Sequence, residues 1–179
     1  MGFALKNEHL PHYTVSEWAQ WEGEWELISG VPFAMSPSPS FYHQEINVNI
    51  VSYLKKEAGL CQGCVAVMGF DWRVSDDTVF QPDVSVTCSS FNPNYLESAP
   101  EIAFEILSPA TRIKDKTIKY EAYEAEGVNY YVIIDPKSKM ASVFKLNNGK
   151  YELGAETSED SFNFILSNCS FNFDFSKIW

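Results

Sequence analysis

The stretch Glu101-Ile102-Ala103-Phe104-Glu105-Ile106-Leu107 decides how the rest of this sequence is read. Its length and apolar run suit a strand buried on both faces, ended by Ser108-Pro109. One residue does not belong there. Glu105 is a lone carboxylate among apolar neighbours, and an unpaired buried charge costs several kcal/mol or more. The strand therefore demands a partner for Glu105: a Lys or Arg from elsewhere, or a metal ion.

Working outward, residues 113–126 read as a helix stopped by Gly127, and 129–134 (NYYVII) as a fully buried strand ended by Asp135-Pro136. Residues 141–146 and 150–153 form a hairpin around Asn147-Asn148-Gly149. Beyond it, Phe171, Phe173 and Phe175 alternate as a strand or packed tail. Upstream, residues 79–88 (VFQPDVSVTC) alternate as a strand, and Pro82 puts it near an edge or at a strand start. Residues 65–74 read as a strand broken or bulged at Gly69, with Asp76-Asp77 as the turn. Residues 89–100 are a loop.

Ile46, Ile50 and Leu54 recur at helical spacing, so residues 41–58 read as a helix with Ser40 as N-cap and Gly59 as its end. The loop 36–40 (SPSPS) precedes it. Residues 24–28 and 31–35 flank Ser29-Gly30 as a hairpin, and 14–22 read as a short helix capped by Thr14 or Ser16. The expected fold is a single α/β (α+β) domain spanning 1–179: a mixed sheet flanked by helices, with an N-terminal β-hairpin.

Composition sets limits. At 179 residues with 45% hydrophobic and 15% aromatic content, the chain can bury a core and is not of the disordered class. No apolar run approaches a membrane span, and the first ten residues lack a signal-peptide core, so no membrane partner is expected. Thirteen basic against twenty-four acidic residues give a net charge of -11, which on average repels nucleic acid. Arg112, Lys114, Lys116 and Lys119 form a local basic run against that background. It reads either as a solvated helix face or as an anion-facing patch. Cys61 and Cys64 form a single C-x-x-C without a second pair; with Cys88 and Cys169 they read as reduced thiols, which favours the cytoplasm.

Asp83 lies mid-strand in the segment expected to neighbour Glu105. Two carboxylates on adjacent strands can share one hard divalent cation, and such an ion can activate water and stabilise a phosphodiester under attack. Lys119 borders an inner helix face through Ala122 and Tyr123, although Asp115 four residues before it also suits an exposed ion pair. Glu26 is, alone, an ordinary strand residue. His43 shares the Ile46–Ile50 side of its helix, where a hydrogen-bonded boundary histidine is the plainer reading.

The residues then match a pattern. Trp25-Glu26-Leu27-Ile28-Ser29-Gly30, Met35-Ser36-Pro37, His43-Gln44, Gln81-Pro82-Asp83-Val84 and Phe104-Glu105-Ile106-Leu107-Ser108-Pro109 come in order. Asp115, Lys119 and Tyr123 follow at four-residue steps, then Gly127-Val128-Asn129-Tyr130-Tyr131 and Asp135-Pro136. Over about residues 20–153 the chain resembles the Uma-two family of restriction endonucleases, within the PD-(D/E)XK nuclease superfamily. The resemblance implies a restriction-endonuclease-like mixed sheet and a metal-dependent site. Asp83 and Glu105 would be its two acids and Mg²⁺ (or Mn²⁺) ligands. The superfamily's usual Lys two residues after the second acid is Leu107 here; the family instead places it on the next helix, where Lys119 stands. An acid frequent after the hairpin glycine is Val31, and a frequent Arg before the Pro-Asp pair is Gln81.

The reading is a metal-dependent endodeoxyribonuclease with Asp83, Glu105, Lys119 and Glu26 in the catalytic set, and His43, Tyr123, Arg112 and Lys116 lining the site. DNA would bind weakly through the basic run, and a homodimer would serve the two strands of a duplex, with Trp21 and Trp25 or Phe171 and Phe173 as contact candidates, for which plain core packing is the simpler reading. The alternative is a catalytically degenerate nuclease-fold module that binds a partner protein or nucleic acid. A hydrolase for a small phosphorylated ligand is a third.

Overall fold

The structure is a computed structural model describing residues 9–35, 39–56, 58–90, 92–167 and 169–179. Most of the 36–40 loop lies outside these residues. Two sheets meet at the middle of the chain. The larger has six strands in the order Lys150–Thr157, Met140–Asn147, Tyr130–Asp135, Ile102–Ile106, Val84–Thr87, Val65–Met68, and the smaller four in the order Val31–Ala34, Trp25–Ile28, Thr78–Phe80, Trp72–Ser75.

The smaller sheet begins with β1 (Trp25–Ile28) and β2 (Val31–Ala34), a tight hairpin. Its two turn residues, Ser29 and Gly30, have φ of 49° and 74°, the left-handed pair such turns need. Gly30 is required twice over, because a Cβ there would lie 2.3 Å from the His12 ring. The helix before it, α1 (Val15–Trp18), is only four residues long, held by a Thr14–Glu17 capping box.

Two expected strands are each divided. Residues 65–74 split at Gly69 (φ 50°) into β3 (Val65–Met68) and β4 (Trp72–Ser75). Residues 79–88 split at Gln81-Pro82-Asp83 into β5 (Thr78–Phe80) and β6 (Val84–Thr87). In each case one half pairs in the small sheet and the other in the large one. Pro82 cannot donate a ladder hydrogen bond, so the break falls there. Asp83 is thus at a junction between sheets, not mid-strand.

In the large sheet β7 (Ile102–Ile106) runs antiparallel to β6 and parallel to β8 (Tyr130–Asp135). The connection is helical but broken: α3 (Arg112–Lys116) and α4 (Ile118–Ala125) meet at Thr117, whose φ and ψ are -127° and -80°. β9 (Met140–Asn147) and β10 (Lys150–Thr157) extend the sheet as a hairpin. One face packs on α2 (Phe41–Lys56), which presents Ile46, Ile50 and Leu54 as expected. The aromatic tail is a third hairpin, β11 (Ser161–Ile165) with β12 (Ser170–Asp174), followed by a 3-10 turn at Phe175–Lys177. Phe171, Phe173 and Phe175 are buried against that same face, so they are core and not a contact surface.

The cysteines correct the sequence reading. Cys61 is bonded to Cys169 and Cys64 to Cys88. The register Val65↔Thr87 makes Cys64 and Cys88 the next facing pair, which spacing in sequence could not reveal. The thiol argument for the cytoplasm loses its basis. Among the described residues no helix is long and apolar enough to cross a membrane.

Candidate active site

Strand alternation aims Phe104 and Ile106 at α2 and the aromatic hairpin, and Glu105 at the opposite face, under α3 and α4. There Glu105 is 2% exposed. Its Oε1 accepts hydrogen bonds from Lys119 Nζ at 2.7 Å and from the Tyr123 hydroxyl at 2.8 Å. Lys119 and Tyr123 sit four apart on α4, hence on one face of it. Lys119 is therefore no exposed surface lysine.

The small sheet supplies Glu26 from β1, fully buried. Its Oε1 lies 2.8 Å from Lys119 Nζ and accepts the Gln81 backbone N–H at 2.9 Å, while Oε2 is paired with Lys114. Asp83, from the junction, accepts the Ile106 backbone N–H at 2.7 Å and lies 3.2 Å from His43 Nε2. The Ser40 hydroxyl caps the helix that carries His43. The sequence-derived residues Asp83, Glu105, Lys119, Glu26, His43 and Tyr123 thus come together in one nest between the two sheets.

Asp115 joins them, and sequence reasoning passed over it. Quoted there only as a spacing element and surface partner, it is 1% exposed, with Oδ1 3.9 Å from Lys119 Nζ. Neither of its carboxylate oxygens has a hydrogen-bond partner; the Thr111 hydroxyl eases the charge without reaching hydrogen-bond geometry. Its place in the four-residue rhythm Asp115, Lys119, Tyr123 was the available signal. Lys114 and Gln81 are further additions, through their contacts to Glu26.

The electrostatics follow from a count. Four carboxylates (Glu26, Asp83, Glu105, Asp115) face two ammonium groups (Lys114, Lys119) and the His43 ring. Burial would pull the Lys119 ammonium down, but Glu105, Glu26 and Asp115 push it well above the ordinary lysine range, so it stays charged. Burial raises Glu26 too, yet Lys119, Lys114 and the Gln81 N–H outweigh it and hold Glu26 below the usual carboxylate value. Glu105 carries the excess. Burial drives it well above the usual range; Lys119 opposes this, but Asp115, Asp83 and Glu26 add to it. Asp115 is also raised, chiefly by burial, against the pull of Lys119. His43 is lowered by burial but raised more by the Asp83 carboxylate and by Asp115, for a net upward shift.

This donor set fits a hard divalent cation in kind: oxygen ligands, excess negative charge, and a buried carboxylate whose two oxygens lack hydrogen-bond partners. Among the described residues no three His, Cys, Asp or Glu side chains already stand around an ion-sized point; the Lys119 ammonium lies between Glu26, Glu105 and Asp115.

The basic run does not form one patch. Lys119 is inside the nest, and Lys114 is mostly buried against Glu26. Arg112 is turned to Asp135 at 2.8 Å, and Lys116 is exposed at the surface. Only Lys116 and the half-exposed Arg112 face solvent, so the cluster in sequence is divided by the fold.

A family profile described as "Uma2: Putative restriction endonuclease" matches residues 13–164. No curated protein matches the chain significantly. Among solved structures, the crystal structure of "a putative nuclease belonging to DUF820" from Anabaena variabilis ATCC 29413 is similar, with a TM-score of 0.66 and 22% identity. The alignment covers 79% of this chain and 83% of that one. At that identity the likeness establishes the fold: restriction-endonuclease-like, as expected from sequence. A DrdV–DNA complex aligns at a TM-score of 0.33 and 14% identity over 65% of this chain and 12% of the other, too distant to carry an argument.

Proposed function

This chain belongs to the Uma-two family, the "Putative restriction endonuclease" group, and from that premise we propose that it is a metal-dependent endodeoxyribonuclease. The observation that carries the reading is the nest itself: an excess of buried carboxylates, with the Asp115 oxygens free of hydrogen bonds beside Glu105 and Lys119. Asp83, Glu105 and Asp115 would hold Mg²⁺ or Mn²⁺. Such an ion, when bound, supplies a Lewis-acid contact to a phosphate oxygen and lowers the pKa of water.

The chain's own residues do the rest. Lys119 brings a permanent positive charge to where negative charge develops on the phosphodiester. Glu26 holds Lys119 in place from one side and Lys114 from the other. Tyr123 orients Glu105 by donating to the oxygen that Lys119 also binds. His43 fixes Asp83, with the Ile106 N–H as the second anchor. Positioning of this kind, more than covalent chemistry, supplies the rate in phosphoryl transfer. DNA would approach over Lys116 and Arg112, weakly because the remainder of the surface is acidic. Cutting both strands with one site per domain calls for two copies, so a homodimer is the proposed working form.

The test is a calorimetric titration of Mg²⁺ and Mn²⁺ into wild type and an Asp83→Ala, Glu105→Ala double variant, beside cleavage of supercoiled plasmid. Binding and cleavage by wild type alone are expected. If wild type neither binds an ion nor cuts, the chain is better read as a degenerate module that binds a partner.

A further inference from the structure

Beside the nest, on the outer side of the small sheet, lies a cavity of about 290 Å³. Trp18, Trp21 and Trp25 line it together with Asp71, Arg73 and Gln81. Three of the chain's five tryptophans therefore wall one opening. Two of the indole N–H groups are engaged away from it: Trp18 donates to the Trp25 carbonyl at 2.7 Å and Trp25 to that of Glu22 at 2.9 Å. Trp21 stands edge-on to Trp25, with ring centroids 5.8 Å apart, and is braced from behind by Tyr13. Trp25, its polar end occupied, offers the cavity its apolar ring beside Trp21, while the Trp18 ring is covered by the Arg73 guanidinium.

The polar lining is mixed. The Asp71 carboxylate accepts from the Gln81 side chain at 3.0 Å. The Arg73 guanidinium lies over the Tyr95 ring at 3.8 Å and also faces Trp18, and its buried Nε has no hydrogen-bond partner. Gln81 joins this cavity to the nest, since its backbone N–H is the one that binds Glu26.

These features select a ligand. A quaternary or primary ammonium is disfavoured, because the Arg73 guanidinium beside the cavity, over the Trp18 ring, repels a second cation. A phosphate is disfavoured by Asp71 and Glu24 at the rim. The volume is at or below the lower end of the range for small-molecule sites, about 300–1,000 Å³. What remains is a neutral, flat, aromatic group with donors and acceptors on its edge. We infer that this cavity takes a single unstacked nucleobase of the DNA, packed on the Trp21 and Trp25 rings, with an exocyclic amine donating a hydrogen bond to the Asp71 carboxylate. That favours adenine, cytosine or guanine over thymine, as a carboxylate accepts from base amines, and stacking on aromatic rings is the general means of holding an exposed base. The inference rests on DNA as the substrate of the neighbouring site and adds how the substrate is read.

The experiment uses intact, metal-free protein and three single-stranded hexamers, of deoxyadenosine, deoxycytidine and thymidine, followed by tryptophan fluorescence. Wild type should bind the adenine and cytosine hexamers at least tenfold more tightly than the thymine one. Trp21→Ala should weaken all of them, Trp21→Phe should restore binding, and Asp71→Asn should erase the preference while binding persists. Equal affinity for the three hexamers, or affinity unchanged in a folded Trp21→Ala protein, overturns the inference. The two readings separate cleanly. Plasmid cleavage by wild type with no hexamer binding removes the base pocket and keeps the nuclease. Base-selective binding without cleavage keeps the pocket and removes the nuclease.

Discussion

Strand β7 has two sides that could not be less alike. Phe104 and Ile106 point their side chains into the apolar cluster between α2 and the phenylalanine hairpin. Glu105, between them, faces four carboxyl-bearing or cationic side chains within the same sheet thickness. One side stabilises by removing hydrocarbon from water, about 25 cal/mol per Å². The other gathers charges that burial penalises, and a buried ion pair is at best neutral for stability beside a well-packed apolar replacement. The apolar side must therefore carry the stability.

The largest expected effects come from breaking each side in turn. Phe104→Ala should cost about 3–5 kcal/mol through cavity formation. Lys119→Met should cost a similar amount, about 3–5 kcal/mol, by leaving Glu26, Glu105 and Asp115 without their shared cation. Urea denaturation distinguishes them by pH. The Phe104 loss should be flat between pH 5 and 8, whereas the Lys119 loss should shrink as pH falls and the stranded carboxylates take up protons. Cleavage should vanish in Lys119→Met only.

A smaller effect is expected from Glu105→Gln. Glu105 is raised in the fold, so native protein binds an extra proton between the unfolded carboxylate range and the folded value. Wild-type stability should therefore fall as pH rises through that window. The amide does not ionise, so the variant should lack that slope. In metal-free buffer it should melt no lower than wild type near pH 7, and it should lose the stabilisation that Mg²⁺ gives. A marked drop in apo melting temperature would make Glu105 a structural anchor.

Asp115→Asn should leave the apo melting temperature close to wild type and weaken Mg²⁺ binding about tenfold or more by calorimetry. Unchanged affinity would take Asp115 out of the ion site. The smallest effect concerns His43. Its raised pKa contributes stability that is complete below the unfolded histidine value and is lost as pH rises through the folded one. His43→Gln should flatten that modest decline, seen as a shallower melting-temperature profile from pH 5.5 to 8.5.

How much of this could be read beforehand depended on whether the cause was local. Glu105 announced itself, because a lone carboxylate in an apolar strand has few physical explanations. The helix of residues 41–56 and the Ser29-Gly30 hairpin carried their own spacing and turn residues. Asp115 did not: at four residues from Lys119 it has the pattern of a solvated ion pair, and only the tertiary packing of the broken α3–α4 segment, with the buried Lys119 beside it, takes it out of solvent. The division of residues 79–88 between two sheets was hidden for a related reason. Pro82 marks an interruption, but which sheet each half joins is decided by strands distant in sequence. The basic run misled because side-chain type says nothing of which neighbours are already spoken for.

The bond between Cys61 and Cys169 spans 108 positions of the chain. On the chain-entropy account, closing a loop of that size removes about 4–5 kcal/mol worth of disorder from the unfolded ensemble. That is comparable to the penalty of a poorly matched buried charge, and the bond joins the apolar side of the sheet, away from the acids. Reduction of one covalent link would thus be felt as a narrower margin for the crowded carboxylates, through a change in the unfolded chain alone and with every native contact of the nest left in place.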